Sequence, residues 1–254
     1  MDGRSIRRTR LLGAAALVLL VAVFAVVPKG QDQGYHRFAD TETLVGIPNA
    51  ANVLSNLAFL AVGLWGLAVT FSAQARPAFG EARERRPYAL FFAAVAATAF
   101  GSAWYHGLPN DATLFWDRLP MTVAFTSLVA TVLAERIDPE LGRRLLFPLV
   151  GFGLATVLFW RLFGDLRPYV FLQAAAILVV GMSTLFFESR YAGGSWMVGL
   201  LAGYGAALLF EQFDAAVRSL LGVIGGHPLK HLAAAAGTAC VVVMLKRRES
   251  RATA

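Results

Sequence analysis

The sequence predicts an all-α, polytopic membrane helical bundle: a seven-helix core with one extra N-terminal transmembrane helix. Three observations lead there. Of 254 residues, 57% are hydrophobic and only 15% charged, with a mean hydropathy of +0.59. Successive apolar runs approach the ~20 residues that cross a hydrocarbon core about 30 Å thick. Lys and Arg gather in short clusters between those runs, as orientation signals do. A net charge of +7 distributed in this way argues for membrane orientation and attraction to anionic lipid, not for binding nucleic acid. The single cysteine, Cys240, lies within the last run, which excludes an intrachain disulfide and a cysteine-rich metal site.

Residues 1–10 are a basic N-terminus, and 11–28 hold the additional span. A basic flank before an apolar run also suits a signal peptide; no clear small-x-small cleavage site follows, so an uncleaved anchor is the preferred reading. Residues 29–47 are polar, with Tyr35, His36, Arg37, Asp40 and Glu42, and form an outer-side loop. Residues 48–246 then supply seven core spans, at 48–71, 87–105, 113–133, 145–163, 168–187, 196–213 and 229–245, and 247–254 form a tail. The polar stretch 111–117 leaves the start of the fourth span least defined. No repeat and no long linker divides the core. Alternating from a cytoplasmic N-terminus places most of the 23 Lys and Arg inside, among them Arg76, Arg83, Arg136, Arg143 and Arg251. Both termini are therefore expected in the cytoplasm. The Ala-, Arg- and Val-rich composition suggests a bacterial inner membrane.

With orientation set this way, the polar residues of the spans collect at the outer end. His227 and His231 open the last span four residues apart, which on a helix places both rings on one face. Alone, such a pair is more often two interfacial histidines at a helix start with Pro228 in its first turn. His106 ends the third span at the same depth, with Ser102 one turn deeper, and Asp117 lies near the start of the fourth. Asn49, Asn52, Ser55 and Asn56 open the second span there. Polar groups within lipid are costly and should face inward toward partners. Three neutral imidazoles and a water would make a zinc site with one exchangeable position, His106 being the candidate third ligand. Glu211 and Asp214 at the end of the seventh span have three readings: binding a cation, neutralising Arg218 or Lys230, or orienting a ligand histidine. Ser102 has a plain alternative as a backbone-bonded serine, and Asp117 as a partner of Arg118. Trp104, Tyr105, Trp116 and Trp160 read as an aromatic belt.

The pattern Gly101-Ser102-x-x-x-His106, Asp117-x-x-Pro120-Met121 and Gly226-His227-x-x-Lys230-His231 resembles the alkaline ceramidase family, within the superfamily that also holds the progestin and adiponectin receptors. The stretch Asn52-Val53-Leu54-Ser55-Asn56 is similar to that family's first core helix, and the resemblance covers roughly residues 40–245. It implies a seven-helix intramembrane zinc amidase in which His106, His227 and His231 hold zinc. Asp117 would accept a proton from the attacking water and return it to the leaving nitrogen, and Ser102 or the zinc would stabilise the oxyanion. Eukaryotic members carry calcium just before the first core helix. Here Asp40 and Asn49 are the residues able to coordinate it, whereas His36 and Phe38 are unsuited; the resemblance allows calcium without requiring it.

The expected function is zinc-dependent hydrolysis of ceramide, or of a ceramide-like lipid taken from the bilayer. A lipid-binding receptor with structural zinc is the alternative from another class. A haem or ion-translocating protein is a third, weakened because the polar groups lie at one end and do not run through the bilayer.

Overall fold

The computed structural model describes residues 3–73 and 79–248. Arg76, Arg251 and the tail beyond Arg248 lie outside the described residues. The helices, in order, are α1 (Gly3–Ala25), α2 (Ala50–Leu54), α3 (Leu57–Phe71), α4 (Arg85–Gly107), α5 (Asp111–Arg136), α6 (Pro139–Phe163), α7 (Arg167–Phe186), α8 (Trp196–Gln212), α9 (Asp214–Leu221) and α10 (Gly226–Arg247). Among the described residues no strand forms; Leu44 and Ile47 make an isolated bridge. Among the described residues, seven helical segments are long and apolar enough to cross a membrane, α2 and α3 counting as one. The pair α8 and α9, bent by 80° at its break, makes up to eight. The chain is a multi-pass helical membrane bundle.

Local chemistry moves several boundaries outward from the apolar runs. α5 begins at Asp111, before the apolar run, because the Asn110 side chain accepts from the Ala112 and Thr113 amides and Thr113 answers it, which closes a capping box. That extension puts Asp117 nearly two turns inside the helix. α6 starts with Pro139 behind Asp138, whose carboxylate accepts from Leu141 N.

α4 packs between α3 and α5, α5 also holds α6 and α7, and α10 lies between α3 and α8. Small residues permit the close crossings. A Cβ on Gly63 would stand 2.5 Å from Ala96 N, so only glycine lets α3 meet α4 there. α1 sits at the periphery against α7, with most of its side chains exposed. Its end is tied down by Arg167, which donates to Val26 O at 2.9 Å and is itself held by Asp165. The hydrogen-bonded Arg167 side chain keeps the Asp165 carboxyl below its usual range. That contribution is present above the unfolded value of about 3.9 and is lost as pH falls through the lower folded value.

At the end remote from the histidines, Arg248 closes the bundle. Its side chain is 1% exposed, pairs with Glu135, donates to the Tyr88 hydroxyl at 2.8 Å and lies 3.5 Å from the Tyr191 ring centroid. Removing one member of such a pair strands the other charge in the interior. Glu135→Ala is expected to destabilise the protein by about 3 kcal/mol, read as a lowered midpoint of thermal or denaturant unfolding in detergent.

Candidate metal centre

His106 ends α4, and His227 and His231 occupy the first two turns of α10; all three are at most 5% exposed. One nitrogen from each lies within 4.8 Å of the others. Their ring centroids are 4.8 to 5.0 Å apart, with no ring stacked flat on another. Nitrogens around one tetrahedral zinc stand about 3.4 Å apart, given Zn–N bonds of ~2.0–2.1 Å, so the cluster has the right dimensions.

The surroundings fix which nitrogens converge. His106 Nδ1 is 2.6 Å from the Ser102 carbonyl, which can only accept, so this nitrogen carries the proton and Nε2 keeps a lone pair. His106 Nε2 faces His227 Nε2 at 2.8 Å. His231 Nδ1 is 2.7 Å from Ser55 Oγ, and that hydroxyl donates in turn to the Asn52 carbonyl. Ser55 thus accepts from His231 Nδ1–H and leaves Nε2 free. Three neutral imidazoles pointing lone pairs inward from a buried position can hold a divalent metal ion, and the donor set suits zinc.

Asp117, 8% exposed, and Ser102, 3% exposed, join the histidines through the contact of α4 with α5. Gly101 permits that contact. A Cβ there would fall 2.3 Å from Trp116 O and 3.2 Å from Asp117 Cα. Gly101→Val should therefore push α5 away, cost about 1–3 kcal/mol of stability, and reduce any activity that depends on Asp117 more than it reduces metal content. Melting temperature and metal analysis on one preparation check both parts.

Ser102, Asp117 and His231 line one end of a 330 Å³ cavity whose opposite depth is apolar, with Phe91, Val95, Leu128, Val180 and Leu200. Val170 and Ile177 of α7 and Leu208 of α8 line it as well and are 46%, 37% and 46% exposed. These three side chains thus both line the cavity and reach the outer surface of the bundle. On the other side, the loop 29–47 covers the centre. Phe38 packs its ring 4.8 Å from His106 and 4.9 Å from His227. His36, the fourth histidine, bridges the Tyr105 hydroxyl and Asp111, each at 3.0 Å.

The remaining site expectations resolve residue by residue. Glu211 neutralises Lys230 and accepts from the Tyr35 hydroxyl at 3.0 Å. Asp214 accepts from the backbone amides of His227 at 2.8 Å and Ala39 at 2.9 Å, so it positions a candidate ligand through the main chain and not through the ring. Asp40 is buried opposite Arg218, whose guanidinium also pairs with Glu42. Asn49 donates to the His106 carbonyl at 2.8 Å. Arg218 thus faces Asp40, and Asn49 is held through its Nδ2, which leaves its Oδ1 outside that hydrogen bond.

The aromatic belt holds only in part. Trp104 and Trp116 are about half exposed and stack on one another, whereas Tyr105 and Trp160 are buried, Tyr105 under the outer loop and Trp160 over Arg118. Arg118 does not pair with Asp117; it donates to Gln31 Oε1 at 2.7 Å. The roles of Phe38, His36 and Ser55 at the centre escaped the reading of the sequence, because the pairs Phe38–His106, His36–Tyr105 and Ser55–His231 are far apart in the chain and no spacing signals them.

The profile of DUF6962, described as a family of unknown function, matches residues 51–250, a stretch that contains Ser102, His106, Asp117, His227 and His231. No curated protein and no solved structure matches the chain.

Proposed function

Because the chain belongs to DUF6962, a family of unknown function, we propose its activity from the site together with the resemblance of its motifs to the alkaline ceramidases: a zinc-dependent intramembrane amidase that hydrolyses the N-acyl bond of ceramide or a ceramide-like lipid. The observation that carries this reading is the convergence of three histidine nitrogens beside a buried carboxylate at the polar end of a cavity with apolar depth. In the reaction, the oxygen of water bonds to the acyl carbon, the C–N bond breaks and the nitrogen takes a proton, giving a fatty acid and a long-chain amine.

His106, His227 and His231 would hold a zinc ion, which when bound would supply Lewis acidity and make water a better nucleophile near neutral pH. Asp117 takes the proton from that water and delivers it to the leaving nitrogen. The Ser102 hydroxyl donates to the developing oxyanion. Ser55 and the Ser102 carbonyl hold two of the imidazoles in the required tautomer. The acyl chain enters past Val170, Ile177 and Leu208 and occupies the apolar depth, while Phe38 and the loop above it keep bulk water out. From the distribution of Lys and Arg, the proposed site is set toward the periplasmic side of a bacterial inner membrane, with both termini cytoplasmic.

The same loop cover would also suit structural zinc in a lipid-binding receptor of the progestin or adiponectin type, without turnover. Purified protein incubated with a panel of lipid amides separates the two. Release of fatty acid supports the amidase; about one bound zinc with no release from any member of the panel favours the receptor.

A further inference from the structure

Arg118 follows Asp117 on α5, is 7% exposed and lines the same cavity. Aromatic rings surround its guanidinium, with the carbon 4.5 Å from the Trp160 centroid, 4.8 Å from Tyr169 and 5.7 Å from Tyr35. Such rings stabilise a cation through its face. They do not accept the N–H groups that radiate in its plane. Nη2 reaches Gln31, but Nη1 is buried with no acceptor, and no carboxylate among the described residues lies within ion-pair distance. The other cation lining the cavity, Lys230, is matched by Glu211. Asp117 and Glu211 act on Arg118 electrostatically without pairing with it, so Arg118 is the cation at the polar end that lacks a contacting carboxylate among the described residues, and a buried charge in that condition is costly unless a ligand completes it.

We propose that Arg118 binds one anionic group, a carboxylate, sulfonate or phosphate, carried on the amine side of the lipid amide. Within the lipid amides of the proposed function, the preferred substrates are then those with an acidic group on the amine side, such as an N-acyl amino acid or an acidic ceramide-like lipid. This inference rests on the amidase reading for its chemistry but not for the binding. The apolar depth of the cavity takes the acyl chain, which leaves the polar end, where Asp117 and Arg118 are neighbours, for the groups beyond the amide nitrogen. Hydrolysis releases a fatty acid and an amino acid, with the C–N bond broken, a C–O bond formed from water and one proton added to nitrogen. The carboxylate of the fatty acid is the other possible source of the anion.

The test uses full-length zinc-loaded protein in detergent with N-palmitoylglycine, its neutral carboxamide N-palmitoylglycinamide, and palmitate. Binding is read by calorimetry and turnover by fatty acid release. The wild-type protein is expected to favour N-palmitoylglycine over the carboxamide by about 10- to 100-fold in Kd and in kcat/KM. Arg118→Gln should remove the preference and leave carboxamide binding within about 3-fold, and Arg118→Lys, which keeps charge and loses the planar fork, should fall between them. The graded response of the lysine variant, with its melting temperature, guards against a folding defect. Equal binding of glycine and glycinamide forms by the wild type overturns the proposal, as does Arg118-dependent binding of palmitate alone. Charge-dependent binding with hydrolysis of neither amide sinks the amidase reading and leaves this one standing. Hydrolysis with no charge preference does the reverse.

Discussion

His106→Ala should bind far less zinc than the about one equivalent expected of the wild-type protein, and its lipid amide hydrolysis should fall to background. The expectation is large because His106 is the candidate ligand that joins α4 to α10. Its Nε2 lies 2.8 Å from His227 Nε2, while His227 and His231 share a helix and alone offer only two donors. Two donors make a weak site; three inward lone pairs make the open tetrahedral arrangement. His36→Ala is the matched control. That histidine bonds to Tyr105 and Asp111 and does not belong to the converging group, so its loss should leave zinc in place. Metal analysis of both variants, together with their melting temperatures, decides the matter. Full zinc retention in the His106 variant would sink the three-histidine centre.

Asp117→Asn gives the complementary result. Zinc should remain, because the carboxylate is outside the histidine group, while hydrolysis drops by about 10²- to 10⁴-fold, the usual contribution of a positioned acid–base group. Asn is nearly isosteric, so the α4–α5 contact at Gly101 is preserved and a folding defect is not expected. Single-turnover fatty acid release, measured with zinc content on the same sample, checks both halves. An Asn variant as active as the wild type would remove Asp117 from the chemistry and leave the zinc structural.

These residues differ in how visible they were beforehand. The spans were visible because lipid demands some 20 apolar residues in a row, a constraint that acts locally and leaves its mark in any one segment. His227 and His231 were visible as a pair because helical periodicity is local as well. Their meeting with His106 was an inference from depth, since each lies at the same end of its own span, and the fold brings the three within one metal's reach. Asp117 and Ser102 were singled out by the same depth argument and given their roles by the resemblance, and the Gly101 contact explains why they share a wall of the cavity.

Other features needed the assembled bundle. No periodicity relates Ser55 to His231, Phe38 to His106 or Gln31 to Arg118; each pair is joined only when distant helices and the outer loop pack. The burial of Tyr105 and Trp160 is of the same kind, because an aromatic residue near a span end looks alike whether it faces lipid headgroups or a neighbouring helix. Charge pairing followed suit: Arg118 turned from Asp117 to Gln31 and three aromatic rings, and Arg218 came to face Asp40 where a metal ion had been considered. Hydropathy and helical spacing act within a segment, so they delivered the membrane class, the spans and the candidate ligands. Pairings between segments depend on side chains set by packing, so the tautomers, the cover over the histidines and the cavity's cation without a contacting carboxylate emerged only from the folded chain.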